Sequence, residues 1–193
     1  PDRTGHPVLL PGIPVVGAVS ETAPSQQWQY AGTAGERITL NAIDPGIQVG
    51  LDVALRLFAP DGRELAYNDD HLGPDLAGLY DAQIREFILP QTGTYTVQAE
   101  WVQFSGSYAL LLARDHTFAL QAGAPIALTG RILAVQPVER WVFNGSAGTA
   151  LTVTMVTESG DLDPTLELID PYGVTLAYND DGRDPELGTN AQL

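Results

Sequence analysis

Residues 51–70 read LDVALRLFAPDGRELAYNDD, and residues 162–181 read LDPTLELIDPYGVTLAYNDD. Twelve of the twenty positions are identical at a shift of 111. Two such segments in one chain are the mark of a repeated supersecondary unit. The match extends outward. Trp28 and Tyr30 fall on Trp141 and Phe143 at a shift of 113, and Gly35 with ERITL falls on Gly148 with TALTV. Downstream, Asp81-Ala82-Gln83-Ile84 falls on Asn190-Ala191-Gln192-Leu193 at a shift of 109. Small changes of shift at loops are what a tandem duplication leaves behind. Residues 1–11 align loosely with 112–122, Arg3 falling on Arg114 and Leu9 on Leu120. The resulting division is a tail or linker of a preceding repeat over 1–11, a complete β-sandwich over 12–114, a linker over 115–122, and the first part of a second sandwich over 123–193. The first copy continues through residues 85–114, for which the second has no counterpart. The reading therefore expects a piece of a longer protein, its second copy incomplete and completed by downstream residues or by strands from a neighbour.

Period-2 alternation sets the fold class. Trp28 and Tyr30 share a face, as do Ile38, Leu40 and Ala42, then Val53, Leu55 and Leu57, then Tyr95, Val97, Ala99 and Trp101, then Tyr108, Leu110 and Leu112. Turn signals separate these runs: Asp44-Pro45-Gly46, Pro60-Asp61-Gly62, Gln91-Thr92-Gly93 and Ser105-Gly106. About eight strands in the first copy and about five in the second, with no long helical pattern, predict an all-β chain of tandem antiparallel, jelly-roll-like sandwiches. The predicted core of the first copy includes Trp28, Leu40, Leu55, Leu57, Tyr95 and Val97. Residues 71–82 read as a long loop.

The bulk composition narrows function. The 193 residues are 44% hydrophobic, enough for a real core. No apolar run reaches the roughly 18 residues needed to span a membrane. The formal charge is −15, all nine basic residues are Arg, and there is no Cys. Such a surface repels nucleic-acid backbones and anionic bilayers alike. The lack of Cys excludes disulfides, thiolate metal sites and Cys nucleophiles. A surplus of Asp suits a protein that meets millimolar divalent cations outside the cell, or serves solubility alone.

The order of these motifs resembles the bacterial pre-peptidase C-terminal (PPC) domain, a relative of the collagenase collagen-binding jelly roll. The residues that carry the resemblance are Leu51-Asp52, Pro60-Asp61-Gly62, Asn68-Asp69-Asp70, Asp81-Ala82-Gln83-Ile84 and Gly93-Thr94-Tyr95. In the second copy they are Asp161-Leu162-Asp163, Pro171-Tyr172-Gly173, Asn179-Asp180-Asp181 and Asn190-Ala191-Gln192-Leu193. The resemblance implies small non-catalytic sandwiches appended to exported proteins, some of them calcium-binding. The copies depart from each other at Gly50 against Asp161 and at Asp81 against Asn190.

The repeated Asn-Asp-Asp has two readings. Asn and Asp suit turns, because their side chains bond the local backbone. Alternatively the acids form a Ca²⁺ site, since a hard cation takes several oxygen ligands. The candidate ligands are Asp52, Asn68, Asp69, Asp70 and Asp81 in the first copy, and Asp161, Asp163, Asn179, Asp180 and Asp181 in the second. The pattern is neither an EF-hand nor a glycine-rich nonapeptide repeat. Enzyme readings find little support. His6, His71 and His116 lie in loop-like sequence, and neither Gly-x-Ser-x-Gly nor HExxH is present. Adjacent Asp69 and Asp70 do not make a glycosidase pair. Trp28 and Trp141 occupy equivalent strand positions and read as core rather than as sugar platforms.

The expected function is a non-catalytic, Ca²⁺-stabilised spacer or binding module of a secreted or cell-surface bacterial protein. The alternative is a structural repeat of an extracellular filament, sheath or surface layer. Expected partners are neighbouring copies, extracellular protein or polysaccharide, with no nucleic acid and no membrane insertion.

Overall fold

The computed structural model describes residues 5–44, 50–71, 80–121, 123–181 and 190–193. Pro45-Gly46 and most of the 71–82 loop lie outside the described residues. The chain divides into two units, Pro1–Asn144 and Gly145–Leu193. Among the described residues there is no helix, and so none long and apolar enough to cross a membrane.

The first unit is an antiparallel β-sandwich. Its strands are β1 (Val15–Val19), β2 (Ser25–Gly32), β3 (Arg37–Ile43), β4 (Asp52–Phe58), β5 (Glu64–Asn68), β6 (Ala82–Ile88), β7 (Gly93–Gln103) and β8 (Gly106–Arg114). They form two four-stranded sheets, in the orders β1-β8-β3-β6 and β2-β7-β4-β5. Alternation places one face of each strand inward. Trp28, Leu40, Leu55, Leu57, Tyr95 and Val97 are all buried, as the pattern predicts, together with Ile38, Ala42, Val53, Tyr108, Leu110 and Leu112. Removing each such large side chain from water contributes about 1.5–3 kcal/mol. The β4–β5 hairpin closes through Pro60-Asp61-Gly62, where Gly62 takes a φ of +83°, a conformation a side chain disfavours.

Residues 115–144 fall within this first unit. There a short parallel pair joins β9 (His116–Thr117) to β10 (Trp141–Val142). The ring of His116 stacks on Trp141 with centroids 4.4 Å apart, and Phe118 lies 5.3 Å from Phe143.

The second unit contains the antiparallel hairpin of β11 (Leu166–Ile169) and β12 (Thr175–Asn179). Its turn is held by Asp170, whose carboxylate accepts the backbone N–H groups of Tyr172 and Val174, both at 2.8 Å. Val153 and Leu193 exchange both backbone hydrogen bonds, and the Met155 N–H donates to the Ala191 carbonyl at 2.9 Å.

Candidate functional site

The β4–β5 hairpin pairs Leu55 with Asn68. Asp52 lies three residues before Leu55, and Asp69 and Asp70 directly follow Asn68, so the three acids emerge at one end of the hairpin. There Asp52 Oδ1 is buried and has no hydrogen-bond partner. Burial pushes the Asp52 carboxyl above the ordinary carboxylate range, and the charges of Asp70 and Asp69 push it further. Asp69 accepts a hydrogen bond from the Tyr67 hydroxyl at 3.2 Å. The buried Nε2 of His71, next along the chain, also has no partner.

Asn68 and Asp81 are engaged with backbone. The Asn68 side chain accepts the Gln83 N–H at 2.9 Å and donates to the Asp70 carbonyl at 3.0 Å. Asp81 is buried and accepts the Asp44 N–H at 2.9 Å, while the Asp44 carboxylate accepts the Leu51 N–H at 2.8 Å. Asp44 is an acid of this region that the sequence reading treats only as a turn residue. The signal for it is its position at the end of β3, where a short acceptor satisfies a backbone group the ladder leaves open.

The candidate ligands predicted between residues 161 and 181 are more exposed. Asn179 accepts the Gln192 N–H at 3.1 Å, and Asn190 accepts the Thr157 N–H at 2.8 Å. Asp161, Asp163, Asp180 and Asp181 are all exposed, and Asp180 accepts the Asp181 N–H at 3.0 Å. Among the described residues, no three His, Asp or Glu side chains stand grouped as a ready cage for a metal ion. The structure thus brings Asp52, Asp69 and Asp70 into mutual electrostatic range. It gives Asn68 and Asp81 separate backbone partners. Asp52, Asp69 and Asp70 are carboxylates, the donor type a hard cation takes, and Asp52 has a buried oxygen that no hydrogen-bond donor meets.

No family model matches the chain, and no curated protein does. Among solved structures, one similar chain is the pre-peptidase C-terminal domain of a collagenase from Bacillus anthracis, at 12% identity and a TM-score of 0.44, covering 55% of this chain and 93% of that one. Another is PliG of Aeromonas hydrophila, a periplasmic inhibitor of g-type lysozyme, at 15% identity and a TM-score of 0.33, covering 56% of this chain and 98% of that one.

Proposed function

We propose that this chain is a non-catalytic accessory module of an exported bacterial protein, a spacer or binding element stabilised by Ca²⁺ at the open end of the β4–β5 hairpin. The observation that carries the calcium reading is Asp52, whose buried oxygen lacks any donor while two further carboxylates raise its proton affinity. A carboxylate so placed costs stability unless a proton or a cation answers it. Asp69 and Asp70, with backbone carbonyls, would complete the ligand set. Asn68 and Asp81 would fix the loop that carries them. In the second copy Asp161, Asp163, Asn179, Asp180 and Asp181 would take the same roles. The test is a melting curve in chelator and in millimolar Ca²⁺, for wild type and for Asp52→Asn. Identical wild-type curves would overturn the calcium reading.

The alternative reading, a structural repeat subunit of an extracellular filament, sheath or surface layer completed by strands from a neighbour, rests on the repeat, and matched hydrogen bonds support that repeat. Asn68 to Gln83 is matched by Asn179 to Gln192, and Asp81 to Asp44 by Asn190 to Thr157. The pairing of Leu40 with Ile84 is matched by Val153 with Leu193. The antiparallel bridge Ser20–Ala23 is matched by Leu133–Gln136, and the parallel bridge of Val8 with Gln29 by that of Thr117 with Val142. These are the contacts expected if residues 123–193 repeat the first part of the 12–114 sandwich and the linker over 115–122 repeats the tail over 1–11. Molar mass in solution tests the assembly part: a strict monomer at all concentrations would remove it.

A further inference from the structure

A row of three side chains crosses the outer face of the β1-β8-β3-β6 sheet. Gln83 on β6 pairs with Asn41 on β3, which pairs with Leu111 on β8. Their alternation points them away from the core. Yet Gln83 is 8% exposed, Asn41 2% and Leu111 fully buried. The outer face of a sandwich ordinarily meets water, so a cover is required. It is supplied in part by the turn Leu133–Gln136. Asn41 Nδ2 donates to the Val135 carbonyl at 2.8 Å, and Val135 and Gln136 are themselves buried. With Asn41 Nδ2 so committed, its Oδ1 accepts from Gln83 Nε2 at 2.9 Å.

A second set of contacts holds the same segment. Glu86 on β6 has a φ of +50°, rare for a residue with a side chain, at the point where the β3–β6 register shifts. Its carboxylate pairs with Arg37 at 3.3 Å and with Arg140, just beyond the turn. Asp115 also lies between Arg37 and Arg140, at 3.6 and 3.9 Å. A cavity of about 70 Å³ remains under the segment, lined by Gln83, Glu86, Asp115, Gln136 and others. The Oε1 of buried Gln83 has no hydrogen-bond partner.

We propose that this outer sheet face is a docking socket whose occupant is the opening turn of the next copy of the repeat. The proposal rests on reading residues 123–193 as a second copy, in which Leu133–Gln136 corresponds to Ser20–Ala23. Two observations favour that occupant. The turn is the same bridged turn that opens the first sandwich, where residues 21–24 are exposed. In addition, the residues that correspond to Gln83 and Asn41 also pair, Gln192 Nε2 donating to Thr154 Oγ1 at 3.2 Å, with Gln192 half-buried and Thr154 exposed. The cross-strand pair thus belongs to the repeat, and in the first copy Val135 and Gln136 are buried over it, with Asn41 Nδ2 bonded to the Val135 carbonyl. The junction after the first sandwich is then a fitted contact and not a free tether.

Amide hydrogen exchange on the whole chain tests this. In wild type the amides of Leu133 and Gln136 should be protected at least tenfold. Asn41→Asp, which removes the donor to Val135, should abolish that protection while the β7 amides stay protected. Glu86→Gln, a milder change, should give a several-fold partial loss and faster tryptic cleavage after Arg140, with cleavage after exposed Arg63 unchanged. If Asn41→Asp fails to fold, wild type and Glu86→Gln decide. Unprotected Leu133 and Gln136 in wild type, or protection indifferent to these variants, would overturn the socket. The repeat reading fails separately, by unprotected Val153, Met155 and Leu193 amides in a chain whose Leu133 and Gln136 remain protected.

Discussion

Asn68 Oδ1 accepts the backbone N–H of Gln83 at 2.9 Å, tying the end of β5 to the start of β6 across the loop between them. The same bond joins Asn179 to Gln192. The first residue of each Asn-Asp-Asp therefore closes a backbone donor across the loop.

Asn68→Ala should destabilise the first sandwich by about 1–3 kcal/mol, because it leaves the Gln83 N–H without its acceptor at a buried position. Thermal unfolding should show a drop of several degrees. Asn179→Ala should cost less, since Asn179 and Gln192 are only half-buried.

Gly17 on β1 faces the Tyr108 hydroxyl, which donates to Gln26 Oε1 at 2.9 Å. A Cβ at position 17 would collide with both partners of that bond. Gly17→Ala should therefore lower stability by about 1–3 kcal/mol despite its small size. The control is Gly35→Ala, where nothing lies within 4 Å and the cost arises from a φ of +81° alone. Equal effects of Gly17→Ala and a surface substitution in denaturant unfolding would refute the collision.

Arg56 bridges Glu100 at 2.8 Å and Glu64 at 2.7 Å, with its guanidinium 4.3 Å from the Tyr67 ring centre. Lysine cannot reproduce this fork. Arg56→Lys should cost about 0.5–1 kcal/mol at low salt, a loss that shrinks as salt screens the pairs. Parallel urea titrations at two ionic strengths would show it. A salt-independent loss would assign the effect to packing.

The core was legible because its rule is simple. Leu55, Leu57, Tyr95 and Val97 stand on one phase of a two-residue period, and a single sheet face explains them all. The outer row was not legible, because Asn41 and Gln83 stand on the phase that ordinarily faces water. Their burial depends on residues more than fifty positions away, around Val135. Nor does the sequence reveal Glu86: a glutamate in a strand carries no mark of the left-handed backbone that turns it toward Arg140. In the candidate site, the nearness of Asp52 to Asp69 and Asp70 follows from counting along one hairpin. The backbone roles of Asn68 and Asp81 do not, because an Asn or Asp beside a turn reads alike whether it holds a backbone N–H or an ion.

Asp52 makes the calcium reading decidable by pH as well as by metal. Its carboxyl is raised by burial first, then by Asp70 and Asp69. A raised value in the folded state means that the fold prefers the protonated acid. The associated stability is fully present below the unfolded carboxyl value of about 3.9 and is lost as pH rises through the higher folded value. At neutral pH in chelator the ionised Asp52 is thus a burden, and Asp52→Asn should melt above wild type. Near pH 3 the two should converge, because wild type is then protonated. Calcium reverses the order. A cation that binds only the native, ionised site adds stability as its concentration exceeds Kd, about 2.7 kcal/mol at a hundredfold excess. In millimolar Ca²⁺ at pH 7, wild type should therefore melt above Asp52→Asn, whose amide offers the ion no charge. Melting curves of both proteins at pH 3 and 7, with and without Ca²⁺, contain the whole test. Asp52→Asn melting above wild type at pH 7 in both chelator and Ca²⁺ would leave Asp52 a buried acid without a cation partner, and the calcium site would fall.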